Sequence, residues 1–261
     1  MKNIKAKEII LGDNVFIDPS AIIRGIDGKA KSVIIGDNTF IGQNVQIICD
    51  EFKIGDYGKI QHHTNVHGYK PVVIGHNFWC GQYTIIDGIG GTLIGNNVGV
   101  GAHSQLWSHI KYGDTLEGCR WNSNDSLIIG DDVWFVGHCI VSPIKAENKS
   151  MAMVGSVITK DMKSNRIYAG VPAKDLTEKI GSPFKYQKTA DKLIIMQKYL
   201  DEFGNHNDNI EIVNSDSKYS NSSMTYFNVS NRRYTKRGTK EEIDFIKFLL
   251  PEKAKFIPEI L

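Results

Sequence analysis

Histidine is the residue type with the most chemistry to offer in this chain. Seven of the eight histidines (His62, His63, His67, His76, His103, His109 and His138) fall within one stretch of the 261 residues. Imidazole has the ordinary pKa nearest neutrality, so each can serve as a general acid or base. In pairs they can also hold zinc, and His62 and His67 stand five apart in QHHTNVHG. Further on, residues 145–180 carry 7 basic and 4 acidic side chains, a local bias suited to a polyphosphate. Cys49, Cys80, Cys119 and Cys139 form no CxxC pair and read as reduced, structural thiols.

The element that must position these groups is a hexapeptide. IGDNTF, IGQNVQ, IGDYGK, IGHNFW, IGNNVG and IGDDVW are spellings of one repeat, and a fixed short period marks a stacked solenoid. Each hexapeptide reads as a short strand plus a turn, so three make one triangular coil with an aliphatic residue pointing inward at each corner. The corners group as 11/17/23, 35/41/47, 54/60/66, 74/80/86, 94/100/106, 129/135/141 and 146/152/158, which gives about seven coils. Asn14, Asn38, Asn44, Asn77 and Asn97 recur two residues after a glycine or its equivalent, where the turn is expected to need left-handed backbone angles.

Departures from the six-residue step mark insertions. Steps of seven or eight at Ile47–Ile54, Val66–Ile74 and Ile86–Ile94 require only widened turns. The step from Leu106 to Ile129 is twenty-three, so a loop over residues 107–128 leaves the solenoid, and a long loop on a regular scaffold is where function concentrates. Val141 to Ala146 is a step of five, which predicts an irregular last coil.

Net charge is +2, divided as −3 over residues 1–144 and +5 over 145–261. That modest bias, without interleaved aromatics, argues against a nucleic-acid partner. No apolar run approaches the roughly 20 residues of a membrane span. MKNIKAKEIILGDN lacks an apolar signal core, so a cytoplasmic location is expected. The expected organisation is a β-helix domain over 1–160, an exit segment with a short helix over 161–182, and a small α+β appendage over 183–261. In the appendage, TADKLIIMQKYLDEF is amphipathic at helical spacing, IEIV and MTYFNV read as strands, and Thr239 with Glu242 forms a capping box. The serine- and asparagine-rich stretch 214–223 reads as loop.

Three segments in order carry a family resemblance: His109 where the coil gives way to the loop, IGDDVWFVG where the coil resumes, and GSVITKD followed by AGVPAKDL. Over roughly residues 10–180 the chain resembles the hexapeptide-repeat acyltransferases, above all the sugar O-acetyltransferases of the galactoside and maltose acetyltransferase type. The resemblance implies an all-β solenoid that is a left-handed parallel β-helix, a homotrimer with active sites between subunits, and acetyl-CoA as cosubstrate with no metal. It places His109 as the catalytic base. Trp134 would wall the pantetheine channel, Gly155 and Ser156 would offer backbone groups to the pantetheine arm, and Thr159, Lys160 and Lys174 would lie near the adenosine phosphates. Several relatives carry His-Pro where this chain has His109-Ile110.

The chemistry fits that assignment. Acyl transfer from a thioester to a hydroxyl needs a base, because the hydroxyl is a poor nucleophile near neutral pH, and a developing oxyanion needs a donor such as a backbone N–H. The acceptor is expected to be a carbohydrate hydroxyl or amine, with a surface polysaccharide favoured. A nucleotide-linked amino sugar is the main competitor, for which Tyr226, Phe227, Arg232 and Arg233 of the appendage could supply stacking and phosphate pairing. His62 and His67 also resemble the paired zinc ligands of γ-class carbonic anhydrases, but that family takes another histidine from an earlier coil, and none precedes His62.

Overall fold

The computed structural model describes residues 3–123, 125–204, 209–215, 219 and 223–259. The chain divides into two compact units, Met1–Phe184 and Lys185–Leu261.

Short parallel strands stack on three faces in the first unit. The first face runs from Ile4–Leu11 through Ala30–Ile35, Glu51–Ile54, Val72–Ile74, Thr92–Ile94 and Leu127–Ile129 to Lys145–Ala146. The second begins at Phe16–Ile17 and passes through Trp79–Cys80, Gly99–Val100 and Trp134–Phe135 to Met151–Ala152. The third begins at Ile22–Arg24 and passes through Gln46–Cys49, Asn65–Gly68, Ile85–Asp87 and Gln105–Leu106 to Val157–Ile158. The result is a parallel β-helix.

Register follows the aliphatic period. Leu11, Ile35, Ile54, Ile74, Ile94, Ile129 and Ala146 are successive partners on the first face. Ile17 through Ile41, Ile60, Cys80, Val100 and Phe135 to Ala152 does the same on the second. Ile23 through Ile47, Val66, Ile86, Leu106 and Val141 to Ile158 does so on the third. These columns form one continuous core in which most members are fully buried. Each buried Ile or Val adds about 1.5–3 kcal/mol of transfer free energy, and the column alignment lets every coil contribute it.

The turns take the backbone angles their residues tolerate. Asn14, Asn38, Asn44, Asn77 and Asn97 have φ of 54, 55, 55, 57 and 60°. Neighbouring turns are tied together: the Asp37 N–H donates to Asp56, Asp56 N–H to His76 Nδ1, His76 N–H to Asn96 and Asn96 N–H to Asp131. His76 therefore occupies a rung otherwise filled by a carboxylate or carboxamide.

Two irregularities differ from the expectation. The five-residue step at Val141–Ala146 does not disturb the ladder, because Lys145 and Ala146 still pair with Ile128 and Ile129 and the shortfall is absorbed in the turn. The spacing between Ile23 and Ile35 is twice the ordinary step, and the extra residues form a small bridge between Gly25 and Gly28. At the far end Met162, fully buried, bridges to Ala146, and Ile167–Gly170 pairs with Met151–Ala152 and turns back on Ala173–Asp175. A short helix, α1 (Thr177–Ile180), follows.

The second unit holds α2 (Thr189–Phe203), α3 (Lys240–Leu249) and the four strands Ile210–Val213, Thr225–Asn228, Arg233–Thr235 and Ile257–Glu259. Thr239 caps α3 by accepting from Glu242 N–H. The reciprocal arm of the expected capping box lands one or two residues early, since the Glu242 carboxylate accepts from Gly238 and Arg237 N–H. Phe227, Tyr234 and Phe245 are fully buried here. Tyr226 is buried as well, so the stacking surface for a nucleotide base expected from Tyr226 and Phe227 is not available; both rings are core. Of the stretch 214–223, residues 216–218 and 220–222 lie outside the described residues. Among the described residues, no helix is long and apolar enough to cross a membrane.

Candidate active site

Strand alternation aims Ile85 and Asp87 outward and Ile86 into the core. Asp87 is nevertheless only 1% exposed, because the chain leaving Gln105–Leu106 folds over it before entering the long loop. A carboxylate taken from water must be satisfied by donors. Ser108 supplies two to Asp87 Oδ2, its N–H at 2.9 Å and its hydroxyl at 2.6 Å. His109 Nδ1 stands 2.8 Å from the same oxygen. Ile89 N–H approaches Oδ1 at 3.4 Å, and His67 Nδ1 lies 4.0 Å from Oδ1.

An ionised carboxylate only accepts hydrogen bonds, so this contact puts the neutral imidazole's proton on Nδ1 and leaves Nε2 with its lone pair. Among the described residues no side chain or backbone group bonds Nε2. The ring keeps 18% of its surface exposed and meets Trp107 edge-on at 6.1 Å. An oriented base with an open nitrogen is what proton abstraction from a bound hydroxyl requires.

Close backbone packing holds this corner. Gly90 N–H donates to Ser108 Oγ at 2.9 Å, and a Cβ on Gly90 would come within 1.9 Å of the Ser108 carbonyl oxygen, so only glycine fits. The loop beyond begins as an antiparallel pair, Ile110–Lys111 with Asn122–Ser123, and exposes Tyr112, Leu116 and Trp121.

The other histidines go elsewhere. His63, Tyr83, His103 and His138 form an exposed stack along one edge of the prism, with successive ring centroids 4.9, 5.2 and 4.9 Å apart. His62 meets His63 and Tyr83 edge-on, on the turn preceding the strand that carries His67. Among the described residues no group of three or more His, Cys, Asp or Glu is placed to hold a metal ion.

The residues expected to hold the cosubstrate lie on the last coils. Trp134 is half-exposed on the second face, and its indole lies across Gly99, where a Cβ would come within 3.1 Å of Cδ1. Lys174 joins the same face through its pairing with Ala169. Gly155 ends the turn column that carries the histidine stack, with φ of 71° and open space where a side chain would be. The N–H groups of Gly155 and Ser156 are already committed, to the Gly137 and Met153 carbonyls, and the Ser156 hydroxyl is turned inward onto Met153. Thr159 and Lys160 are exposed in the next turn. Among the described residues, no hydrogen bond or ring contact links His109 to any of these groups within one chain.

Sequence reasoning missed Asp87 and Ser108. The available signal was a carboxylate immediately after corner Ile86, at the start of an eight-residue step. Burial of the thiols agrees with a structural role: it pushes Cys49 and Cys80 up to about 12 and raises Cys139 as well.

No family model matches the chain. Over 119 residues it is 29% identical to the galactoside O-acetyltransferase of Escherichia coli strain K12, covering 44% of this chain and 55% of that protein. The chain is a hexapeptide-repeat protein of the acyltransferase superfamily. This hexapeptide-repeat protein thus spans about half the length of the curated relative it matches. Among solved structures it is similar to AntD, an N-acyltransferase from Bacillus cereus in complex with dTDP and coenzyme A, at 17% identity and a TM-score of 0.44, covering 76% of this chain and 92% of that one. It is also similar to a hexapeptide-repeat acetyltransferase from Vibrio cholerae O1 biovar eltor complexed with acetyl coenzyme A, at 16% identity and a TM-score of 0.38, covering 57% and 70%.

Proposed function

We propose that the protein is an acetyl-CoA-dependent acetyltransferase acting on a carbohydrate hydroxyl or amine, with His109 as general base and Asp87 as the group that positions it. The observation that carries this reading is the 2.8 Å contact between His109 Nδ1 and a buried carboxylate, which leaves Nε2 open beside the long loop. His109 Nε2 takes the acceptor's proton as its oxygen or nitrogen attacks the acyl carbon, and returns that proton to the departing sulfur. Asp87 stabilises the imidazolium between the two transfers and fixes the ring's tautomer. Acetyl-CoA, when bound, supplies an acyl carbon activated by its thioester, so the reaction needs no metal.

The chain's own residues suit such a cosubstrate. Trp134 offers an apolar wall, Gly155 leaves an opening in the turn column, and Thr159, Lys160 and Lys174 present exposed polar and cationic groups for phosphate. Because Gly155 and Ser156 have spent their N–H groups, their contribution falls to shape and to the Gly155 carbonyl. The cofactor-side residues sit on a different face from His109, which favours a homotrimer in which one subunit's base works beside a neighbour's last coils. Exposed Tyr112, Leu116 and Trp121 on the loop give such a neighbour apolar surface to cover. A cytoplasmic location and a polysaccharide acceptor are part of the same proposal.

The deciding experiment measures coenzyme A release with a panel of sugars, beside the H109A variant. Acceptor-dependent release that the variant loses supports the reading. Saturable acetyl-CoA binding with no acceptor-dependent release, or release unchanged by H109A, overturns it.

A further inference from the structure

A recess of about 340 Å³ opens on the N-terminal coils, lined by Ser20, Asn44, Gln46, His63 and Asn65 together with Ile22 and Thr64. It sits at the lower end of the roughly 300–1,000 Å³ typical of small-molecule sites. None of its lining residues is an acid, a lysine or an arginine. Gln46 and Asn65 are Cα partners on neighbouring strands of the third face, and among the described residues neither side chain makes a hydrogen bond. Two adjacent carboxamides thus present donors and acceptors side by side, a pattern that matches vicinal hydroxyls. His63 is the end ring of the aromatic stack, so its face away from Tyr83 is covered by no other ring. Asn44 Nδ2 approaches His63 Nε2 at 3.5 Å, leaving Asn44 Oδ1 as a further acceptor.

The recess shares a face with the candidate base. Asn65 and His67 lie two residues apart on one strand, about 7 Å along it. His67 pairs with Asp87 in the next coil, and Asp87 holds His109. A group bound over Gln46 and Asn65 is therefore a near neighbour of one bound at Nε2.

We infer that this recess is an acceptor subsite for a neutral sugar ring, so that the substrate is an oligosaccharide whose second unit sits on Gln46 and Asn65 while the first meets His109. The inference rests on the acetyltransferase reading above for its chemistry but not for its binding. An uncharged lining disfavours an anionic unit, and the free carboxamides replace the water that a sugar's hydroxyls lose.

The test uses the full-length protein and neutral glucose and galactose mono-, di- and trisaccharides, with binding read by saturation-transfer NMR and transfer read by coenzyme A release. The expected result is at least tenfold tighter binding of di- or trisaccharides than of monosaccharides. The Gln46→Ala, Asn65→Ala double variant should lose that gain and leave monosaccharide transfer unchanged. N65F, which fills the recess, should have the same effect. Equal mono- and oligosaccharide binding in the wild type, no binding of any neutral sugar, or a gain that survives both variants overturns the subsite. Length-dependent binding sensitive to both variants, with no transfer to any acceptor, retains the subsite and overturns the acetyltransferase reading.

Discussion

Asp87 and Ser108 form a mutual lock: Ser108 gives Asp87 Oδ2 both its N–H and its hydroxyl proton, and the same hydroxyl accepts from Gly90. The carboxylate that orients His109 is thereby fixed to the chain one residue before that histidine, so the base and its support move as one piece.

Replacing His109 with Ala should lower acetyl transfer by about two to four orders of magnitude, the usual range for a lost general base. Acetyl-CoA binding, followed by calorimetry, should persist.

Asp87→Asn keeps the size but replaces an acceptor-only group with an amide that must turn one N–H toward a donor. The expected result is a fall in kcat of about two to four orders of magnitude, by analogy with loss of the supporting carboxylate in a catalytic triad. The pH–rate profile should also change shape, which a purely structural role would not produce.

Lys160→Ala with Lys174→Ala should raise the Kd for acetyl-CoA about tenfold, while kcat at saturation changes little. The wild-type affinity should fall with added salt and the double variant's should fall less, since screening acts on the charges removed. Titration at two ionic strengths decides this.

Thiol reactivity should sort by burial. Cys49 and Cys80 are held as neutral thiols by pKa values pushed up to about 12, and Cys139 is raised too. Because burial raises these values in the folded state only, the thiolates stay scarce at pH 8 until unfolding. Alkylation of the native protein should therefore mark Cys119, the one thiol that is not buried, and denaturant should admit the other three. Intact-mass analysis reads the count.

Ile60→Ala removes a fully buried corner in mid-stack. A loss of about 2–5 kcal/mol is expected from urea unfolding, with secondary structure retained at room temperature.

The corner columns were legible because a solenoid repeats its environment: one aliphatic residue per hexapeptide meets the same neighbours above and below, so period alone aligns Ile60 with Ile41 and Cys80. The turn asparagines were legible for the same reason. Period says nothing about Asp87, whose burial depends on a loop folding over an outward strand position. Nor does it reveal that Glu242 serves Arg237, Gly238 and Thr225 rather than the Thr239 N–H, since that choice is set by packing against Thr225–Asn228. Tyr226 and Phe227 looked like ligand platforms because an aromatic pair beside two arginines is ambiguous until its partners are known. Their strand is interior to a four-stranded sheet, and that settles them as core.

His67, Asp87 and the departure point of the His109 loop occupy the third to fifth levels of the stack, away from both open ends. In a nearest-neighbour array, opening starts at the termini and each further level lost costs another interface. Amide exchange should then be slowest around Val66, Ile86 and Leu106 and quicken outward. The imidazole's alignment is thus insulated from end fraying by the coils stacked on either side.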